Sequence, residues 1–264
     1  MQDNSLKKEI LRIGTVKFLN AKPLDYGFFY PEGNILNHYK FKIYEDVPSI
    51  LIKYLKEKQI DIGLISSIEA LRNENQINFY PHLGICSQKN VQSIFYITKK
   101  NYKKPVKRIY LDQSSRSSNE LLKILYYFYF KELPEFIIEK PQNILNKIND
   151  NSAGLIIGDP AINLYLNPNS FYLKDLAEWW YELTQLPFVF AVWAFPKELN
   201  INLKIFEESY RIGKKSIDKI IIRYSFPRDF SYQYLTKNLY YEMGEKELKS
   251  LQLYKSFLME LDLF

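Results

Sequence analysis

The sequence predicts an α/β protein of two lobes with a cleft between them. Three observations carry that prediction. Strand-like and helix-like segments alternate over residues 10–92 and again over 100–186; one apolar strand follows the second run; and the chain after about Lys204 reads as helix. Alternation of this kind gives a mostly parallel sheet with helices on both faces. A run, a second run and a return place residues 1–95 with 190–264 in one lobe and 96–189 in the other. Two chain crossings then form a hinge.

The elements follow in order. Leu11 to Val16 and Lys40 to Tyr44 read as the first two strands. Pro48 to Lys58 is an amphipathic helix, with Ile50, Leu51, Tyr54 and Leu55 spaced for one buried face. Ile60 to Ile65 is a short buried strand and Ser67 to Arg72 a helix. Ser93 to Thr98 and Arg108 to Leu111 are further strands, and Ser117 to Phe130 is a long helix. Gly154 to Ile157, the helix Pro160 to Leu166 and the strand Phe188 to Phe195 complete the pattern.

Composition narrows the function. With 47% apolar and 16% aromatic residues in 264, the chain can bury a sizeable core. One cysteine, Cys86, rules out an internal disulfide, and with only His38 and His82 neither a cysteine- nor a histidine-based metal centre is expected. The start, MQDNSLKKEILRIGTV, holds no apolar core of signal-peptide length and no lipobox-like cysteine. Leu186 to Pro196, the longest uncharged apolar run, is too short to cross a bilayer, which takes about 20 residues. A cytoplasmic protein without a membrane partner is expected. Lys plus Arg is 36 against 30 for Asp plus Glu, a net charge of +6 that favours anionic partners. The basic residues are scattered, with no arginine stripe and no nucleic-acid motif, so a small anion is the expected ligand and nucleic acid is not.

In sheets of this class ligands bind where strands end and helices begin, because helix N-termini present free N–H groups and partial positive charge. Four such junctions carry small polar residues. Asn20, before Pro23, is either a cap or turn residue or an amide that holds a ligand. Ser66 or Ser67 caps the helix after the third strand, and either hydroxyl is placed to face a cleft. Asp112-Gln-Ser114-Ser115-Arg116-Ser117-Ser118 is the strongest. One serine suffices to cap the helix, whereas four serines, an arginine and free N–H groups make a carboxylate or phosphate site. Gly158-Asp159-Pro160 reads as an Asp cap followed by Pro at the first helical position, with Gly158 allowing a ligand close to the backbone. No Walker loop, dinucleotide fingerprint or G-x-S-x-G elbow is present, and neither histidine sits beside a nucleophile. His82 reads as a packed or surface residue and Cys86 as a buried apolar one.

Read together, the junctions resemble the menaquinone-biosynthesis chorismate dehydratase family. Phe18-Leu-Asn20-Ala-Lys-Pro23-Leu24 is similar to its Y-L-N-x-x-P-L signature, with Phe18 in place of the usual Tyr. Asp61 to Glu69, Asp112 to Ser118, Leu155 to Ala161 and the stretch Asp175 to Ala194 resemble its other motifs in order, with a second aromatic, Trp180, after Trp179. The resemblance implies a fold like the type II periplasmic binding proteins. It also implies a reaction, chorismate to 3-[(1-carboxyvinyl)oxy]benzoate plus water, that needs no metal, nucleotide or flavin. On that reading Ser114, Ser115, Arg116 and Ser117 stabilise charge pushed onto the ring carboxylate. Asn20 and a cleft serine (Ser66, Ser87 or Ser93) orient the enolpyruvyl carboxylate, which takes the proton. Ser67, Gly158 and Asp159 are further expected contacts. Two alternatives carry other expectations: dihydroxynaphthoate synthase of the same pathway needs a histidine base, and a solute-binding protein needs an export signal.

Overall fold

The structure, a computed structural model, describes residues 8–99, 104–167 and 171–264. The first seven residues of the amino-terminal stretch read above for a targeting signal lie outside the described residues. Eleven strands are described: β1 (Glu9–Thr15), β2 (Tyr39–Glu45), β3 (Ile62–Ser66), β4 (Ile77–Ser87), β5 (Ile94–Thr98), β6 (Arg108–Asp112), β7 (Glu135–Glu139), β8 (Ser152–Ile157), β9 (Tyr172–Asp175), β10 (Phe188–Pro196) and β11 (Tyr240–Glu242).

They form two sheets, ordered β11-β4-β10-β3-β1-β2 and β7-β6-β8-β5-β9. Three parallel strands (β2, β1, β3 and β7, β6, β8) open each sheet, then one reversed strand, β10 or β5, pairs antiparallel on both sides. Both of these reversed strands are entered across the hinge, and in the first sheet the edge strand β11, antiparallel to β4, is reversed as well. Residue chemistry agrees with position. β3, in mid-sheet, is buried at all five residues, and β10 is almost entirely so. Edge strand β2 alternates exposed Lys40 and Lys42 with half-buried Tyr39, Phe41 and Ile43. Arg12 of β1 clamps Asp61, just before β3, with its backbone N–H (2.8 Å), Nε (3.1 Å) and a terminal nitrogen (2.5 Å), which pins the neighbouring strands in register.

The strand and helix segments read from the sequence are present within a few residues. β4, β7, β9 and β11 were not expected. β4 contains Pro81 and exposes Asn78 and His82, which breaks its apolar pattern, while β7 and β9 are edge strands with weak alternation. The carboxy-terminal region, read as wholly helical, contributes β11 to the first sheet.

The helix Glu245–Glu260 crosses the seam and packs on β10 and on helices of both lobes. Its Ser250 accepts the indole N–H of fully buried Trp180 at 3.0 Å, and its Tyr254 hydroxyl donates to the Ser117 carbonyl at 3.0 Å. In the first lobe the helices Lys22–Phe29 and Lys204–Lys215 pack so closely that a Cβ at Gly213 would fall on the Pro23 carbonyl and one at Gly27 on the Ser209 backbone. Overpacking of this kind costs about 1–3 kcal/mol. Gly213→Ala is therefore expected to lower the urea midpoint by that amount of stability without changing the slope; a midpoint equal to wild type would show that the helices separate freely.

Candidate active site

The strand-to-helix junctions of both lobes converge on one cavity, with about 90 Å3 open to the centres of water molecules. Its walls come from β3, β4, β5, β8 and β10, from the segments that follow β1, β2, β6 and β8, and from Tyr234.

Asn20 lies on a short 3-10 turn, Leu19–Ala21, ahead of the helix Lys22–Phe29. It caps nothing: Ala21 occupies the cap position, and the Asn20 Oδ1 is buried without a hydrogen-bond partner. That oxygen, on a cavity wall, is available to a ligand donor, while the amide nitrogen leans on the Tyr234 phenol. The loop that carries Asn20 is closed by Asp25, whose Oδ2 accepts the Thr15 hydroxyl at 2.7 Å and the Lys22 ammonium at 3.0 Å. Burial pushes the Asp25 carboxyl up to about 6, against the pull of Lys22 and Thr15.

At the second junction Ser66 occupies the cap position of the helix Ser67–Arg72 but makes no cap bond, and it lines the cavity. The cap bond comes from the other lobe, where Ser117 Oγ accepts the Ile68 N–H at 3.3 Å. Ser67 is fully buried away from the lining with its hydroxyl unpaired.

The third junction brings Ser114, Ser115, Ser117 and Ser118 onto the wall. Asp112 Oδ1 holds Ser114 through its N–H (2.8 Å) and hydroxyl (2.5 Å), and burial raises the Asp112 carboxyl against those bonds. Ser115 caps the helix Arg116–Phe130, accepting the Ser118 N–H at 3.3 Å and donating to Ser118 Oγ at 2.9 Å. Arg116, expected beside the serines as an anion ligand, is not on the lining. Its guanidinium meets Glu69 of the other lobe at 2.9 Å, because that nearly buried carboxylate requires a counter-charge.

At the fourth, Gly158 lies at φ +64°, a conformation that costs a residue with Cβ of order 1 kcal/mol, and its N–H donates to the Ser93 carbonyl at 2.8 Å. Asp159, expected as the helix cap, sits two positions too late. Ile157 is the cap residue, and the Asp159 side chain makes no cap bond. Asp159 lines the cavity, where burial raises its carboxyl. Ser93, at the start of β5, lines the cavity as well, and its Oγ accepts the Tyr234 hydroxyl at 2.9 Å. Ser87 ends β4 buried, unpaired and away from the lining.

Tyr234, on the lining, and Asp25, which braces the Asn20 loop from outside it, were not singled out from the sequence. Burial pushes the Tyr234 phenol well up, while Ser93 and Asn20 pull it down. Among the described residues no Lys or Arg lines the cavity, so positive potential there comes from helix N-termini, chiefly of Pro48–Lys56, Arg116–Phe130 and Gly158–Leu166. No described group of three or more His, Cys, Asp or Glu could hold a metal ion. His38 and His82 are exposed and off the lining, and Cys86 is buried, its thiol pushed well up. No described helix is long and apolar enough to cross a membrane.

A folded-state carboxyl raised from 3.8 to about 6 contributes stability that is complete below its unfolded value and lost as pH rises through about 6. Urea midpoints should therefore fall between about pH 4 and pH 6, and Asp25→Asn should flatten part of that slope. An unchanged slope in the variant would show Asp25 ionised throughout.

The sequence profile of a family described as menaquinone biosynthesis matches residues 11–260. The chain is 30% identical over 246 residues to a chorismate dehydratase of Campylobacter jejuni, covering 90% of this chain and 93% of that one. It is 28% identical over 204 residues to a chorismate dehydratase of Thermus thermophilus, 70% of each. Among solved structures, a protein from Archaeoglobus fulgidus superposes with a TM-score of 0.74 at 16% identity, over 97% of this chain and 98% of that one. The alkanesulfonate-binding protein of Xanthomonas axonopodis pv. citri gives 0.64 at 15%, over 96% and 93%. A Candida albicans protein described as having the generic periplasmic binding protein fold gives 0.64 at 11%, over 97% and 90%. The fold is thus that of the periplasmic binding proteins, with two lobes and a cleft between them.

Proposed function

Because the chain belongs to the menaquinone biosynthesis family, we propose that it is a cytoplasmic hydro-lyase that converts chorismate to 3-[(1-carboxyvinyl)oxy]benzoate and water. The observation that carries this reading is the 30% identity to a chorismate dehydratase over 90% of the chain. The cavity supports it, since helix N-termini and hydroxyls converge on a space between apolar walls, a suitable receptor for a ring with two carboxylates.

Dehydration removes the hydrogen at ring C3 and the hydroxyl at C4. Loss of the C3 hydrogen pushes charge through the ring alkene onto the ring carboxylate, so donors placed there stabilise the carbanion-like state. Hydrogen-bond bookkeeping identifies which donors remain. The Ser114 and Ser115 hydroxyls already donate, to Asp112 and Ser118. The Ser117 and Ser118 hydroxyls accept bonds and keep their own protons to donate, and the free N–H groups opening the helix Arg116–Phe130 are further donors. These take the ring carboxylate, each donor in such a role being worth about 3 kcal/mol.

The enolpyruvyl carboxylate of the substrate serves as base, held by Asn20 and Ser93. Ser93 accepts from Tyr234, which leaves its own proton to donate, and the Asn20 amide nitrogen, with two N–H groups, keeps one beyond that which reaches the Tyr234 phenol. Ser66, also uncommitted, stands on the same wall. Catalysis then rests on positioning. The related dihydroxynaphthoate synthase reading needs a cleft histidine, and both histidines are exposed elsewhere.

Purified protein mixed with chorismate, followed by ultraviolet absorbance and mass spectrometry, should show loss of one water and a benzoate-type spectrum. Asn20→Ala should lower kcat by about 10²-fold or more while circular dichroism is unchanged. Turnover near wild type in that variant would remove Asn20 from the mechanism, and no turnover by wild type would remove chorismate.

A further inference from the structure

Among the described residues the cavity wall holds one charged side chain, and its sign opposes a dianionic substrate: Asp159. No cation on the wall compensates it, and burial raises its carboxyl. The titratable groups that face it are the phenols Tyr224 and Tyr234. Neither proton is offered to it, since Tyr224 donates to the Lys17 carbonyl and Tyr234 to Ser93 Oγ, each at 2.9 Å. A half-buried carboxyl without hydrogen bond or counter-ion is costly unless a ligand completes it.

Chorismate has four polar groups. Two are carboxylates, which repel an ionised Asp, and one is an ether oxygen, which donates nothing. The fourth is the C4 hydroxyl, which exchanges hydrogen bonds with a carboxyl in either protonation state. It is also the leaving group. Resting on chorismate as the substrate, we propose that Asp159 is the general acid of the reaction, facing the C4 hydroxyl and delivering the proton with which it departs as water.

The step balances. The C3–H bond breaks and its electron pair becomes the ring C3–C4 double bond. The C4–O bond breaks towards oxygen, and the Asp159 O–H bond breaks to complete water. The C3 proton, held on the enolpyruvyl carboxylate, returns to Asp159 through the cavity, so one water is lost and no proton is gained. Burial favours the acid form, and two arriving carboxylates favour it further.

The test compares wild type with Asp159→Asn, measuring kcat across pH and chorismate binding by calorimetry. The expected result is a kcat lower by about 10²-fold or more with binding unchanged or tighter. Wild-type kcat should fall as pH rises through the Asp159 ionisation in the complex, and the variant should lose that limb. Asp159→Glu should recover part of the rate. A variant with wild-type kcat overturns the assignment, and so does a folded variant that has lost chorismate binding. A wild-type kcat flat from about pH 5 to about pH 9 overturns it too, whether or not the variant folds. Wild-type protein that binds but never turns over chorismate takes down the dehydratase reading itself, an outcome distinct from these.

Discussion

The hydrogen bond from Tyr234 to Ser93 fixes the geometry on which the cavity depends. Ser93 stands at the crossing into the second lobe, just before β5, and Tyr234 comes from the carboxy-terminal part of the first. The Ser93 carbonyl meanwhile takes the Gly158 N–H, which sets the turn that brings Asp159 to the wall. One buried serine thus ties three distant stretches of chain together. A weaker bond would let the lobes shift and would misplace Asn20, Ser93 and Asp159 together. Asp175 reinforces the crossing, since it caps the helix Leu176–Thr184 and also accepts the Gln92 N–H at 2.7 Å.

A receptor for an anion need not carry a cation. Here arginine is spent holding the lobes together, Arg116 on Glu69 and Arg72 on Glu120, while the cavity relies on hydroxyls and helix N-termini. Fixed dipoles neutralise less than a full charge. They leave a moving negative charge more responsive to the groups around it than a tight ion pair would. The two arrangements are linked, because Ser117 closes the interlobe contact with Ile68 and also presents a hydroxyl to the cavity.

Much of this was legible in the sequence. The alternation of strands and helices identified the two-lobed α/β class, and all four strand-to-helix junctions reach the cavity. The errors were local and electrostatic. Ser67 and Ser87 have residue types suited to binding, but β-strand and helix geometry turns them into the core. Arg116 was misplaced because its partner, Glu69, lies 47 positions away on the other lobe, a pairing no local pattern encodes. Tyr234 is one of 22 tyrosines in a stretch that reads only as helix, and Asp25 resembles any acid in a helix's first turn. Both acquire meaning when long-range packing encloses them.

The reversed strand β10 has a consequence for how the molecule is made. It lies between β3 and β4 in the first sheet, yet it emerges from the ribosome about 100 residues after β4. The second sheet, by contrast, is an unbroken stretch from β5 to β9 and is complete before β10 exists. Translation therefore finishes the second sheet first. The buried half of β4, Leu83–Ser87, waits without its partner until residues 188–196 arrive, and the cavity closes only once Tyr234 has been added.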